Sequence, residues 1–397
     1  MRRPRLCPCQ RRLGALALWG YTAGVIAGYA IIARRTLAPG HPLASAPEPA
    51  PGGEVWPLVS IVLPARDEAR NIRACVESLL AQDYPAFELI VVDDASSDAT
   101  PRVLEEIART HARAGRMRVV RLDSLPPGWA GKPHALDAGA TRARGEWLLF
   151  TDADTRHEPA ALRTAVSQAR AGGADLFSLL TAQELPDFWG RVIMPIAFMG
   201  ISSLYPERAV NDPRSEVAIA NGQYLLIRRA VYEVIGGYAN PELRGTVVDD
   251  RDLARQVKRR GYRLVVADGR ALVRTQMYHG LREHWRGWSK NAYAGNPGGP
   301  LLFAFLTAAL PIGAIAPYVL LPVGLVARRR EWVLAGAIQV GTMAAYRTAL
   351  NRQLGIPWRY VWTHPLGAAV FTGILGRAAW GKLTGRTVAW RGRSYRV

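Results

Sequence analysis

Short apolar runs that stop abruptly at acidic residues constrain this chain more than any other feature. Leu58–Leu63 ends at Pro64-Ala65-Arg66-Asp67-Glu68, and Phe87–Val92 ends at Asp93-Asp94. Trp147–Phe150 ends at Thr151-Asp152-Ala153-Asp154, and Met117–Leu122 is expected to be a further strand. Each reads as a short buried strand. Helical patterns lie between them. Asn71–Ala81 places Ile72, Val76, Leu79 and Leu80 on one face, and Thr100–His111 has Pro101 suited to a first turn. Repeated strand–helix units predict an α/β fold with a parallel sheet covered on both faces. Ligands of such sheets bind at the carboxyl ends of the strands, where these acidic clusters lie.

The flanks have a different composition. Leu13–Ala33 is an uncharged stretch of 21 residues between Arg11-Arg12 and Arg34-Arg35. As a helix it would span ~30 Å, one bilayer core. Residues 1–35 are therefore expected to be an N-terminal membrane anchor, with a cleaved signal peptide as the competing reading. Residues 36–57, with six Pro and three Gly, read as a linker. After Gly299 the chain is apolar again: Leu301–Ala327 is broken by Pro311, Pro317 and Pro322, and Trp332–Leu350 and Val361–Ala379 follow. Residues 301–381 are expected to form a C-terminal transmembrane region, the first stretch being one kinked helix or a re-entrant hairpin. Residues 382–397 are expected to form a basic cytoplasmic tail.

The net charge of +19 would suit a nucleic-acid binder, but its distribution does not. Residues 1–53 carry +6 and residues 301–397 carry +11, leaving +2 for 54–300. Basic residues flanking apolar spans are what the cytoplasmic membrane face selects, whereas nucleic acid requires a basic stripe on the folded core. With three Cys in the chain a disulfide framework is excluded, and Cys7-Pro-Cys9 lacks companions for a zinc site.

The acidic clusters carry the chemistry. No Gly-x-Gly-x-x-Gly follows either of the first two strands, which excludes the usual dinucleotide fingerprint. Carboxylates such as Asp94 can accept from a base N–H or from ribose hydroxyls; capping of turns and the next helix is the plainer role for Asp93 and Asp98. Asp152 and Asp154, one residue apart at a strand end and facing a diphosphate, suit Mg²⁺ or Mn²⁺. Asp249-Asp250-Arg251-Asp252 opens a helix that continues to Arg260; three acids in a first turn also suit the helix dipole. Close carboxylates raise one another's pKa, which suits a general base. Trp285, Arg286, Trp288 and Lys290 lie in an aromatic–basic stretch, His279 to Asn291, just before the apolar region. It fits either an interfacial belt helix or a role in holding diphosphate or lipid acceptor.

These motifs, in this order, resemble those of family 2 glycosyltransferases with a GT-A fold: Val59-Ser-Ile-Val-Leu-Pro-Ala-Arg-Asp-Glu, Val91-Val-Asp-Asp-Ala-Ser-Ser-Asp, Phe150-Thr-Asp-Ala-Asp-Thr and Asp249-Asp-Arg-Asp-Leu-Ala. The resemblance covers about residues 58–295 and implies a GT-A, Rossmann-like nucleotide-sugar-binding domain over 58–300. It implies an inverting transfer from a nucleotide-sugar, a UDP-sugar foremost. Asp94 would contact the base, Asp152 and Asp154 the ribose and the metal diphosphate, and Asp250 would be the catalytic Asp, with Asp249 beside it. Ala65, Asp67 and Lys132 would complete the donor site, although Lys132 also reads as a solvated side chain. The family usually has Glu-Asp where this chain has Asp249-Asp250. Processive members carry Gln-x-x-Arg-Trp where this chain has Trp285-Arg-Gly-Trp-Ser-Lys-Asn, so polymer synthesis is not implied.

Leu125-Pro-Pro-Gly-Trp-Ala-Gly-Lys-Pro-His-Ala-Leu and Val388-Ala-Trp-Arg-Gly-Arg-Ser-Tyr are similar to bacterial membrane glycosyltransferases associated with hopanoid and carotenoid pathways. The expected acceptor is thus a membrane isoprenoid lipid. The alternatives are polyprenyl phosphate, a cell-envelope polysaccharide, and a catalytically silent scaffold. The expected location is the inner membrane, multi-pass, with the catalytic part cytoplasmic. The Arg-rich leader before the first span argues for the opposite orientation by charge counting.

Overall fold

The computed structural model describes residues 8–38, 40–43, 56–385, 387–390 and 393–396. Helix α1 (Pro8–Thr36) leads to β1 (Val59–Ala65), α2 (Ile72–Leu80), β2 (Phe87–Asp94), α3 (Thr100–Thr110), β3 (Met117–Leu122), α4 (Gly131–Ala140) and β4 (Trp147–Phe150). Then come β5 (Thr155–His157), α5 (Ala161–Ala171), β6 (Leu176–Leu180), β7 (Ala182–Gln183), α6 (Phe188–Leu204), α7 (Glu207–Asn211), β8 (Leu225–Arg228) and α8 (Arg229–Val234). The chain continues through α9 (Asp249–Arg259), β9 (Leu264–Asp268), β10 (Val273–Thr275), α10 (Gly280–Ala294), α11 (Gly299–Ala314), α12 (Ala316–Val326), α13 (Arg330–Gln353) and α14 (His364–Thr384). It closes with β11 (Thr387–Trp390) and β12 (Arg393–Arg396).

Four of these strands, β1 to β4, lie at or within a residue or two of where the sequence puts them, and the main sheet has the order β3-β2-β1-β4-β8-β6-β9. Alternate β1 residues enter different cores, as the two-residue period of a strand requires. Val59, Ile61 and Leu63 pack with Ile72, Val76 and Leu79 of α2 and Leu104 of α3. Val62 faces the other way, toward Leu136 of α4 and Leu253 and Val257 of α9. Burial on both faces explains the continuous apolar runs.

The expectation of an all-parallel sheet needs correction. β8 runs antiparallel to both β4 and β6, so the sheet is mixed. A long excursion through α6 and α7 separates β6 from β8, and the chain re-enters the sheet between strands already placed. A second small sheet, β5-β10-β7, lies beside the end of β4.

The flanks also differ in part from expectation. Arg12–Thr36 and Gly299–Val326 are the two described helical stretches long and apolar enough to cross a membrane, the second broken at Ile315 between α11 and α12. The stretches predicted at 332–350 and 361–379 are helical but fall short of that measure, because polar side chains such as Gln339, Arg347 and Arg377 interrupt them. The linker starts docked rather than loose: the His41 carbonyl accepts from Asp268 N–H (3.0 Å), and His41 N–H donates to Glu207. Residues 44–55 lie outside the described residues. The basic tail is not a simple tail, since β11 and β12 pair antiparallel as a hairpin beside α10.

A third core joins the helices. Val25 and Tyr29 of α1, Val192 and Ile196 of α6, Trp288 of α10, Met343 of α13 and Phe371 of α14 pack together. Through α6 and α10 this bundle is coupled to the sheet's carboxyl edge.

Candidate functional site

A cleft of about 250 Å³ opens where the strands end. Its walls come from the β1 end (Pro64, Ala65, Arg66, Glu68), the β2 end (Asp94), the start of α4 (Gly131, Lys132), the β4 end (Asp152, Ala153, Asp154), the turn before β8 (Asn221, Gly222, Gln223), the approach to α9 (Thr246, Val248, Asp249, Asp250) and α10 with its lead-in (Tyr278, Lys290, Asn291). Three separate acidic clusters of the sequence thus meet because their strands β1, β2 and β4 are neighbours, and the start of α9 brings the fourth.

Lys132 stands at the centre. Its Nζ lies 2.8 Å from Asp152 Oδ1 and 3.3 Å from Asp249 Oδ2. Burial works against its charge, but the combined pull of Asp152, Asp249 and Asp250 outweighs burial and raises its pKa. Its side chain keeps about a third of its exposure, along the cleft, so these pairs are partly screened. Asp249 is buried, and burial raises its pKa; Asp250 and Asp152 push the same way while Lys132 opposes them. Asp250 is less buried. Its Oδ2 accepts from Gly222 N–H (3.0 Å) and its Oδ1 from Arg251 N–H (2.7 Å). A Cβ on Gly222 would stand 3.0 Å from Lys132 Nζ and 3.3 Å from Asp250 Oδ2, so only glycine fits there without displacing them.

The first turn of α9 is fixed to α10. Arg251 pairs with Asp252 (Nη2 to Oδ1, 2.6 Å) and donates from Nη1 to the Ala294 carbonyl. Tyr205 Oη donates to the neighbouring Gly295 carbonyl (2.8 Å). This couples the Asp249-Asp250 turn to the helix that carries Lys290 and Asn291.

Ala65, Asp94, Lys132, Asp152, Asp154, Asp249, Asp250 and Lys290 of the expected site residues line the cleft. Asp67 does not. It adopts a left-handed backbone (φ 52°), and its Oδ1 accepts from Ser97 N–H (2.7 Å) and Ser97 Oγ (3.1 Å), fastening the β1 turn to the β2 turn. Asp98 completes that clasp by accepting from Thr100 N–H and Ala69 N–H (both 2.9 Å). Trp285, Arg286 and Trp288 also stay out of the cleft. Trp288 is buried against Tyr278 and Phe371, Trp285 packs over Gly373 of α14, and Arg286 is exposed. A helix shows a different face every residue, so of these four only Lys290 points inward.

Sequence reading missed Asn221-Gly222-Gln223. A glycine between two amides directly before a strand was the available signal. Asn221 N–H donates to Ser178 Oγ (2.8 Å), and the Gln223 carbonyl accepts from Thr151 Oγ1 (2.7 Å), which holds the turn against β6 and β4.

Among the described residues no group of three or more His, Cys, Asp or Glu side chains converges on a metal position. The available donors are hard carboxylate oxygens: Asp154, whose Oδ1 accepts from Thr275 Oγ1 (3.3 Å), and Asp152, whose Oδ1 already meets Lys132. Such a sparse oxygen set fits Mg²⁺ or Mn²⁺, which take one or two carboxylates and complete their shell with phosphate and water.

Residues 60–236 match the family model for glycosyl transferase family 2. The succinoglycan biosynthesis protein ExoO of Rhizobium meliloti is 36% identical over 120 residues, 30% of this chain and 32% of that protein. This chain therefore spans about a third of that relative's length. The 4,4'-diaponeurosporenoate glycosyltransferase of Staphylococcus aureus is 26% identical over 349 residues, 85% of this chain and 88% of that one. Among solved structures, the mannosyltransferase PcManGT of Pyrobaculum calidifontis, in complex with GDP-Man and Mn²⁺, superposes with a TM-score of 0.54 and 22% identity, covering 93% of this chain and 97% of that one. That likeness shows a shared fold. With its motifs gathered in one cleft, the chain matches glycosyl transferase family 2 over residues 60–236 and has a mixed α/β, GT-A-like fold.

Proposed function

We propose that this chain moves a sugar from a nucleotide-sugar, a UDP-sugar foremost, to a membrane-dissolved isoprenoid lipid, with inversion at the anomeric carbon. The observation that carries the reading is the meeting of Asp94, Asp152, Asp154, Asp249, Asp250 and Lys132 in a cleft whose outer wall, α10, packs on the helical bundle.

Asp94 receives the base or ribose. Lys132 and Lys290 face the diphosphate. Six carboxylates and three cations line the cleft, so a diphosphate entering alone would meet an excess of like charge. Asp154 and Asp152 would hold a divalent ion, which offsets the leaving diphosphate's charge. Asp250, held by the Gly222 and Arg251 N–H groups, takes the proton of the acceptor hydroxyl as its oxygen bonds to the anomeric carbon and the bond to the diphosphate breaks. Asp249 stays paired with Lys132 and sets the charge around that step. The catalytic domain is taken as residues 58–300.

A lipid acceptor is supported by the similarity to the diaponeurosporenoate enzyme over 85% of the chain and by the two helices apolar enough to cross a bilayer. The proposed setting is the inner membrane, multi-pass, with the cleft on the cytoplasmic side, where nucleotide-sugars are found. A cell-envelope polysaccharide step is the second reading; the likeness to ExoO over 120 residues favours it. The test is mass spectrometry of membrane lipids from cells expressing the wild type, cells expressing Asp250→Asn, and cells lacking the protein. A hexosyl-lipid present only with the wild type is expected. Identical lipid profiles together with altered polysaccharide would replace the lipid acceptor by the second reading. Nucleotide-sugar turnover absent in every assay would leave only a silent scaffold.

A further inference from the structure

The helical bundle contains a buried cation that the cleft does not explain. Arg347 of α13 is fully buried. Its Nη2 donates to the Arg191 carbonyl of α6 (2.7 Å), while Nε and Nη1 have no hydrogen-bond partner among the described residues. One turn further, Asn351 is 1% exposed and neither end of its amide is partnered. His364, at the start of α14, is equally buried; its Nε2 meets Tyr29 Oη of α1 at 2.7 Å and its Nδ1 has no partner. His364 and Tyr29 both lie within electrostatic range of Arg347.

Among the described residues no carboxylate pairs with Arg347, and Glu283 of the neighbouring α10 pairs with Arg70 (4.0 Å). Helices α1, α6, α11, α12 and α14 contain no Asp or Glu. The one acid of α13 is Glu331, 16 positions before Arg347 and so ~24 Å away along the axis. Asp187, at the start of α6, accepts from Gly190 and Gly280 N–H groups. Arg does not give up its proton in a protein. Water can satisfy an N–H, but it cannot balance a buried charge, and an unpaired buried cation is strongly disfavoured.

We propose that the bundle holds an oxyanion, a carboxylate or a phosphate group, against Arg347. Guanidinium Nε–H and Nη1–H, on separate sides of the group, are its free donors, and a hydrogen bond from either to an oxyanion is charge-assisted. Asn351 Nδ2 is a further donor, and so is His364 Nδ1–H when Tyr29 donates to Nε2. None of these residues lines the cleft, so the site is separate from donor binding and stands or falls independently of the acceptor proposed above. The oxyanion comes either from a lipid headgroup or from a free ion, and the test separates the two.

The full chain, purified in neutral detergent and stripped of lipid, is melted with increasing oleate, with oleyl alcohol, or with sodium phosphate. Oleate and oleyl alcohol differ only in the carboxylate. A saturable rise in Tm with oleate and none with oleyl alcohol is expected, about 2 °C at ten times the dissociation constant. A rise with phosphate and none with oleate would support the site and assign it to a free ion. Arg347→Gln should abolish the response. Should that variant fail to fold, Asn351→Leu, which keeps Arg347, should weaken the apparent affinity about tenfold. No wild-type response to either anion, equal responses to oleate and oleyl alcohol, or an undiminished response in the variants would overturn the proposal.

Discussion

In the sheet half of the molecule, ionised groups answer one another. Lys132 meets Asp152 and Asp249, and buried Glu88 accepts from Ser60 Oγ (2.7 Å) and pairs with Arg144 (2.9 Å) and Arg118 (3.3 Å). In the helical half, Arg347, Asn351 and His364 are more deeply buried and lack such partners. The sheet half is built as a polar cleft open to a charged ligand, with its acids facing the opening. The helical half is packed as an apolar body with isolated polar groups inside. One region therefore reads as chemistry on a soluble ligand. The other reads as attachment to an apolar environment, with one charge left to be balanced from outside.

The largest effect should come from the cleft. Asp250→Asn keeps size and hydrogen bonding but cannot take a proton, so turnover should fall by ~10²–10⁴ with donor affinity nearly unchanged. Sugar-transfer rates and calorimetric titration with nucleotide-sugar would read the two effects. If Asp249→Asn is crippling while Asp250→Asn is mild, the buried member of the pair is the base. Next, Asp154→Ala should cost at least about 10² in turnover, since metal charge stabilisation is worth several kcal/mol. The remaining rate should not respond to Mn²⁺ or chelator. Undiminished wild-type activity in excess chelator would contradict the metal.

Packing gives a direct comparison of the halves. A Cβ on Gly367 of α14 would come 2.4 Å from the Val192 carbonyl oxygen of α6, where backbone cannot yield easily. A Cβ on Gly139 of α4 would come 2.3 Å from Val62 Cγ1 and 3.1 Å from Val92 Cγ2, side-chain methyls rather than backbone. Both Gly→Ala variants should lose about 1–3 kcal/mol, the loss at Gly367 being larger. Denaturant midpoints would rank them, and the reverse order would show that the bundle adjusts more readily than the sheet.

The smallest effect concerns acid stability. Burial lowers the pKa of His284 from 6.5 to about 4, against the opposing pull of Asp187 and Glu283. Below pH 6.5 the unfolded chain takes up a proton that the folded chain refuses. His284 therefore supports folding above pH 6.5, and this contribution is lost as pH falls through about 4. His284→Phe should flatten the fall of Tm between those limits, and an unchanged profile would show that the ring is solvated.

Much of this was legible in the sequence. Apolar runs marked β1, β2 and β4 because strands buried on both faces need them, whereas β3, with Arg118 and Arg121, is a largely exposed edge strand. Acids at their ends marked the cleft because strand ends converge there. Lys132 was legible only as a candidate; its place among three carboxylates depends on α4 starting opposite the approach to α9. Asp67 misled because a strand-end Asp that clasps a turn and one that faces a ligand occupy the same kind of position. Trp285, Arg286 and Trp288 misled because composition does not say which face of a helix meets which neighbour.

The sequence by itself determined the α/β class, the acidic strand ends and the two apolar stretches near either end. These follow from local periodicity and from the cost of burying charge. Tertiary structure decided what depends on distant segments meeting. It placed β8 antiparallel between β4 and β6, set Gly222 between Lys132 and Asp250, and sealed Arg347 inside the bundle. No local pattern encodes these outcomes, because each is the result of packing elements far apart in the chain against one another.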